Sequence, residues 1–94
     1  MSYIDVGNAY LSGSERQILT VAGQNLMCLN EKYDKGKYTV KVIIEGGNRF
    51  YIYRNGKFIL TCDTAMECYY CICAILQSVK EISNNTEVVN NENT

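Results

Sequence analysis

The stretch KYTVKVIIEGGNRFYIYRNGKFILTC, residues 37–62 of a 94-residue chain, decides the fold. It contains three β-rich runs, which are separated by Gly46-Gly47 and by Asn55-Gly56. Asn-Gly is the strongest short hairpin signal, because a type I′ turn needs a positive φ at both central residues and these two residues tolerate it best. The stretch therefore predicts a three-stranded antiparallel meander.

Two-residue turns at both dipeptides would decide which side chains share a face of this meander. Tyr51 would then lie opposite both Leu60 and Val42. The predicted core face carries Tyr38, Val40, Val42, Ile44, Tyr51, Tyr53, Phe58, Leu60 and Cys62. The predicted outer face carries Lys37, Thr39, Lys41, Ile43, Phe50, Ile52, Arg54, Lys57, Ile59 and Thr61.

A helix is predicted directly after the third strand. Thr64 and Glu67 have the spacing of a capping box, in which two side chains satisfy two backbone donors reciprocally. Apolar residues then recur at helical spacing to about Ile82, so this helix should pack across the core face of the sheet.

The first third of the chain predicts a second helix, which should end before Lys35-Gly36. Its cap would be Ser12 with Glu15, or Ser14 with Gln17. The alternative is a hairpin that turns at residues 22–25, because Gly23 inside a helix costs about 1 kcal/mol. The expected fold is α+β in the order α-β-β-β-α: a three-stranded antiparallel meander with a C-terminal helix across it and an N-terminal helix.

Length and composition bound the domain organisation. A chain of 94 residues with 47% apolar residues has room for one small core. The segment SNNTEVVNNENT, residues 83–94, is polar and lacks an apolar period. We therefore expect one α+β domain over residues 1–82 and a disordered polar tail over residues 83–94.

Histidine is absent from the sequence, which argues against most enzymes. Histidine is the usual partner of a Ser or Cys nucleophile and the commonest metal ligand. The carboxylates are scattered, and only Asp63 and Glu67 lie close together, where capping explains them. The sequence predicts a protein that is not an enzyme and that needs no cofactor.

The five cysteines bear on compartment and on metal binding. An odd cysteine count, no signal-peptide pattern at the N-terminus and no long apolar run predict a cytoplasmic protein with reduced thiols and no membrane span. Cys62, Cys68 and Cys71 could together hold zinc, which would then be present in purified protein. We expect no metal, because free cysteine in an apolar helix packs as a small hydrophobic residue.

Charge is distributed unevenly along the chain. Residues 32–57 hold seven basic residues against two acidic ones, a net of +5, although the whole chain has a formal net charge of -1. The basic residues of this segment are Lys32, Lys35, Lys37, Lys41, Arg49, Arg54 and Lys57.

The predicted outer face therefore mixes apolar and basic side chains, and two explanations are open. The first helix or residues 1–11 could cover it and make a second small core. Otherwise it is a binding surface, with apolar residues giving affinity and charges steering approach. The binding interpretation predicts a host protein that handles nucleic acid as the partner. Its contact residues would be Lys41, Phe50, Ile52, Arg54, Lys57 and Ile59.

Residues 37–82, with their Asn-Gly hairpin and Asp63-Thr64 helix start, resemble two DNA-binding families. One is the arm-binding domain of tyrosine integrases, and the other is the plant ethylene-response DNA-binding domain. The resemblance implies that the sheet face enters a major groove, with Lys37, Lys41, Arg54 and Lys57 as phosphate or base contacts. DNA binding through the same face is therefore the alternative function.

The whole chain is small, lacks proline and is rich in Asn and Tyr. In this it resembles the accessory proteins of phages and mobile elements, among them anti-CRISPR and other anti-defence inhibitors. That resemblance implies an inhibitor that lodges on a host protein and performs no chemistry.

Overall fold

A four-stranded mixed sheet carries two helices in the computed structural model, which describes residues 3–33 and 35–92. The elements are β1 (Ile4–Asp5), α1 (Gly13–Cys28), a π-helical turn (Leu29–Tyr33), β2 (Tyr38–Ile44), β3 (Asn48–Arg54), β4 (Lys57–Cys62) and α2 (Ala65–Glu92). The strand order is β1-β2-β3-β4. The α+β class and the order of helix, meander and helix are confirmed.

The prediction of a purely antiparallel three-stranded sheet is wrong, because β1 adds a parallel edge strand beside β2. Ile4 aligns with Val40, and the backbone N–H of Val40 donates to the carbonyl of Tyr3 at 2.9 Å. A strand of two residues is too short to show the alternation by which strands are recognised in a sequence.

The N-terminal helix is confirmed, and the alternative hairpin at residues 22–25 is wrong. Ser12 and Glu15 form the capping box: the Ser12 hydroxyl accepts from the Glu15 N–H at 3.2 Å, and the Glu15 carboxylate accepts from the Ser12 N–H at 2.9 Å. The helix buries Leu19, Ala22 and Leu26. Burial of this stripe outweighs the cost of Gly23.

Helix α2 begins as predicted and continues past the predicted end. The Thr64 hydroxyl accepts from the Glu67 N–H at 3.1 Å, and the Glu67 carboxylate accepts from the Asp63 N–H at 3.3 Å. The helix does not end near Ile82 but runs to Glu92, so it includes most of the segment that was predicted as a disordered tail. Residues 93–94 lie outside the described residues.

The β3–β4 hairpin turns at Asn55-Gly56, as predicted. Both residues have a positive φ, 52° and 78°, which is the signature of a type I′ turn. Tyr53 pairs with Phe58 and Arg54 with Lys57, as expected from that turn.

The predicted register between β2 and β3 is wrong by one residue. Val40 pairs with Ile52 and Val42 with Phe50, because the connection comprises three residues, 45–47, and not the Gly46-Gly47 pair alone. The Glu45 N–H donates to the Gly47 carbonyl at 2.8 Å and closes this loop. A shift of one residue turns every β3 side chain to the other face.

A β-bulge in β4 produces a second difference. Ile52 pairs with Leu60 while Tyr53 pairs with Phe58, so Ile59 is an extra residue in β4. Leu60 faces the core, as predicted, and Phe58 faces away from it, contrary to the prediction.

The core lies between the sheet and the two helices, and it contains residues that were predicted outside it. Phe50 and Ile52 are fully buried there, at 0% exposure. They belong to the same cluster as the helix side chains, so neither an exposed anchor role nor a separate second core is correct for them. The core cluster comprises Ile4, Leu11, Leu19, Ala22, Leu26, Leu29, Tyr38, Val40, Val42, Phe50, Ile52, Cys62, Ala65, Cys68, Ile72 and Leu76.

Candidate functional site

The sheet face opposite the helices is the candidate functional site. Because side chains alternate along a strand, the positions between the buried ones face away from the helices. We call this set the outer sheet face; it comprises Thr39, Lys41, Ile43, Arg49, Tyr51, Tyr53, Phe58 and Thr61. Its apolar and aromatic members neither belong to the buried core nor pack against it.

Three aromatic rings form the centre of this face. The Phe58 ring lies 5.7 Å from the Tyr51 ring and 6.2 Å from the Tyr53 ring, centroid to centroid. The contact with Tyr53 is edge-to-face, an arrangement that aromatic quadrupoles favour. Phe58 is nonetheless 55% exposed, so the cluster presents a large apolar surface to solvent. We call Tyr51, Tyr53 and Phe58 the aromatic cluster.

The Tyr51 hydroxyl is held by a carboxylate from the β2–β3 loop. It donates to Glu45 at 2.8 Å. This hydrogen bond raises the pKa of Tyr51 above its usual value, because ionisation of the phenol would remove the donor and place two negative charges together. The contact orients one ring of the aromatic cluster.

Two cations, Lys41 and Arg49, lie on the outer sheet face. Lys41 aligns with Asp5 of β1, and Arg49 forms an ion pair with Asp63 at 3.0 Å. Arg49 is half-buried and Asp63 is exposed, so the pair stabilises the fold by at most about 1 kcal/mol. The outer sheet face therefore carries an aromatic centre and two cations, of which Arg49 is paired with Asp63.

The other predicted cations gather at one end of the sheet. The Arg54 guanidinium lies 5.6 Å from the centroid of the Tyr38 ring, and the Asn55 N–H donates to the Gly36 carbonyl at 3.0 Å, so residues 35–37 lie beside the hairpin. The Lys80 ammonium lies 5.8 Å from the ring of Tyr33, which precedes this segment. We call this region the basic end; its cations are Lys32, Lys35, Lys37, Arg54, Lys57 and Lys80.

The six predicted contact residues thus lie in three places. Lys41 is exposed on the outer sheet face, and Phe50 and Ile52 are buried in the core. Arg54, Lys57 and Ile59 come together, with Asn55, around a shallow depression of about 390 Å³ at the basic end. Ile59 is 41% exposed because the bulge turns it out of the sheet alternation.

The aromatic cluster was not predicted as a surface feature. A signal for it was present, because Glu45-Gly46-Gly47 also fits a three-residue hairpin loop with a glycine at positive φ. A three-residue loop at these positions directs the side chains of Tyr51 and Tyr53 to the outer sheet face.

A depression of about 630 Å³ lies where the two helices begin, and its polar side chains already serve the fold. Glu15 and Thr64 cap the helices, while Arg49 and Asp63 pair with each other. Their positions follow from capping and from the surface ion pair.

The cysteines lie mainly where α2 meets the sheet. The sulfur atoms of Cys62 and Cys71 are 3.7 Å apart, and Cys73 accepts from the Asn25 amide at 3.3 Å. Burial raises the pKa of Cys62 and that of Cys68 to about 12. Within residues 3–33 and 35–92, no three cysteine, aspartate or glutamate side chains are arranged to hold a metal ion.

Comparisons with family models, curated proteins and solved structures return no match to this chain. In the part of the chain that the structure describes, no helix combines the length and apolar character needed to cross a bilayer.

Proposed function

We propose that this protein is a non-enzymatic binding module that attaches to another protein through its outer sheet face. The observation that carries the proposal is the aromatic cluster, in which Phe58 is 55% exposed on a face that packs against neither helix. Tyrosine and phenylalanine at the centre of a surface patch are enriched in protein interfaces, where they give affinity with little loss of conformational entropy. Lys41 stands beside the cluster as an orienting charge.

The proposed partner is a host protein of nucleic-acid handling or defence, and the module acts as an inhibitor by occupying its surface. The resemblance of the chain to small phage accessory proteins supports this role. The partner surface should offer an apolar pocket for Phe58 and a carboxylate for Lys41. Phe50 and Ile52, which were predicted as anchors, take no part.

Replacement of Phe58 by alanine tests this face. We expect Phe58→Ala to weaken partner binding about 30-fold or more, as is typical of a hot-spot residue, and to lower the free energy of unfolding by less than about 1 kcal/mol. The partner would be captured by wild-type protein from a nuclease-treated bacterial lysate, and its affinity for each variant would then be measured.

Ile44→Ala is the matched control, because Ile44 is 58% exposed and lies outside the aromatic cluster. Equal binding by wild type and the Ile44 variant, with loss only in the Phe58 variant, would support the outer sheet face. A captured protein that binds the Phe58 variant as tightly as the wild type would refute it.

Direct DNA binding is a second candidate function, and the basic end is the observation that favours it. Of the four cations implied by the resemblance to integrase arm domains, Lys37, Arg54 and Lys57 lie at this end, and only Lys41 lies on the outer sheet face. Long exposed cations in one region can neutralise successive phosphates and release their counterions. Two acidic residues, Glu31 and Glu81, are close in the sequence to cations of the basic end. The Glu31 carboxylate accepts a hydrogen bond from the Tyr3 hydroxyl at 3.4 Å.

Salt dependence distinguishes the two candidates. A protein that neutralises four phosphates should lose DNA affinity with a log-log slope of about -3.6, and the double variant Lys35→Gln/Lys57→Gln should reduce that slope by about 1.8. Lys41→Gln is the control and should leave the slope unchanged if the basic end makes the contacts. An unchanged slope in the double variant, or no binding to duplex DNA at low salt, would reject this candidate.

A further inference from the structure

Two cysteines from different elements face each other near the start of α2. Cys62 is the last residue of β4, and Cys71 lies in the second turn of α2. Their sulfur atoms are 3.7 Å apart. We propose that Cys62 and Cys71 are a redox modification site, at which a peroxide oxidises the two thiols to an intramolecular disulfide.

The geometry requires only a small displacement. A disulfide bond is about 2.05 Å long, so the two sulfur atoms at 3.7 Å must approach by about 1.7 Å. Rotation of the two side chains about χ1 supplies part of this approach.

The other cysteines are less suited to this reaction. Cys68 is fully buried in the core, and Cys73 accepts a hydrogen bond from the Asn25 amide. Cys28 is on α1. Cys71 is half-buried, so it is the member of the close pair that an oxidant reaches more readily.

The chemistry proceeds in two steps that balance. Hydrogen peroxide oxidises the Cys71 thiol to a sulfenic acid, and one water leaves. The sulfur of Cys62 then attacks the sulfur of Cys71, the S–O bond breaks, and the Cys62 proton leaves with the hydroxyl group as a second water. Two thiols lose two electrons to one peroxide. Burial holds the pKa of Cys62 near 12, which is consistent with oxidation beginning at Cys71.

The disulfide would join the end of the edge strand β4 to the beginning of α2. It closes a short loop, residues 62–71, and so restricts the unfolded chain. We expect the Tm of the oxidised protein to rise by roughly 5–15 °C, and to return to its original value on reduction.

Peptide mapping after peroxide treatment tests the proposal. The number of thiols that react with N-ethylmaleimide in denaturant should fall from five to three. Cleavage after Lys57, Glu67 and Lys80 separates peptide 58–67 from peptide 68–80. In the oxidised protein these two peptides should remain joined until a reductant is added.

Single variants identify the partners of the bond. Cys71→Ala should abolish both the joined peptides and the rise in Tm, whereas the control Cys73→Ala should retain both. Separate peptides with a disulfide inside 68–80 would place the bond between two of Cys68, Cys71 and Cys73 and overturn the proposal. Persistence of all five reactive thiols at a peroxide dose that oxidises an added dithiol would also overturn it.

Discussion

Phe50→Ala is expected to lower the free energy of unfolding by about 3–5 kcal/mol, the usual cost of removing a buried phenylalanine ring. Phe50 is 0% exposed and pairs with Val42 on one side and with Cys62 on the other, so the cavity opens in the middle of the sheet. The total stability of a small domain is about 5–15 kcal/mol, so the variant would be marginal. Denaturant unfolding, followed by circular dichroism, measures the loss.

Phe58→Ala is the matched control, because the chain has only two phenylalanines and both lie in the sheet. We expect it to cost less than about 1 kcal/mol. The register expected from two two-residue turns predicts the opposite order, with Phe58 inside and Phe50 outside. A larger loss for Phe58→Ala than for Phe50→Ala would therefore contradict the observed register.

Asn30→Ala should have the second largest effect, a loss of about 2–4 kcal/mol. The Asn30 amide makes two hydrogen bonds to one residue of β2: its nitrogen donates to the Tyr38 carbonyl at 2.9 Å, and its oxygen accepts from the Tyr38 N–H at 2.7 Å. Asn30 is 7% exposed, so water cannot readily replace the lost amide. Thermal and denaturant unfolding would report the change.

Asn25→Ala is the corresponding control in the preceding helix. The Asn25 amide donates to the Cys73 sulfur, a weak acceptor, and the residue is half-buried. We expect its loss to cost less than about 1 kcal/mol. If the two variants lowered the free energy of unfolding equally, the two hydrogen bonds from Asn30 to Tyr38 would not stabilise the junction between the π-helical turn and β2.

The parts of the fold that were predicted correctly depend on local chemistry. The type I′ turn at Asn55-Gly56 and the caps at Ser12 and Thr64 are each specified within four or five residues of sequence. Strand β1 was not predicted, because its two residues become a strand only by pairing with β2.

The site was harder to predict because it depends on two single-residue choices. Because Glu45 belongs to the loop, β3 presents to the core the face that was predicted to point outward. The extra residue Ile59 in β4 then places Leu60 in the core and leaves Phe58 outside it. Either choice is decided by packing across the whole sheet and not by the residues of the turn alone. The basic residues are evident in the sequence, but their place at one end of the sheet depends on the same choices.

Strand β3 is apolar on both of its sides, with Phe50 and Ile52 inside and Tyr51 and Tyr53 outside. Few strands in small sheets could be inverted and still bring large nonpolar side chains inward, but this one could. Loss of one residue from the 45–47 connection would favour the inverted strand, because a two-residue turn brings Tyr51 and Tyr53 inward and presents Phe50 and Ile52 outward. A lineage carrying this chain therefore has a short mutational route to a new recognition surface, one that need not pass through many substitutions.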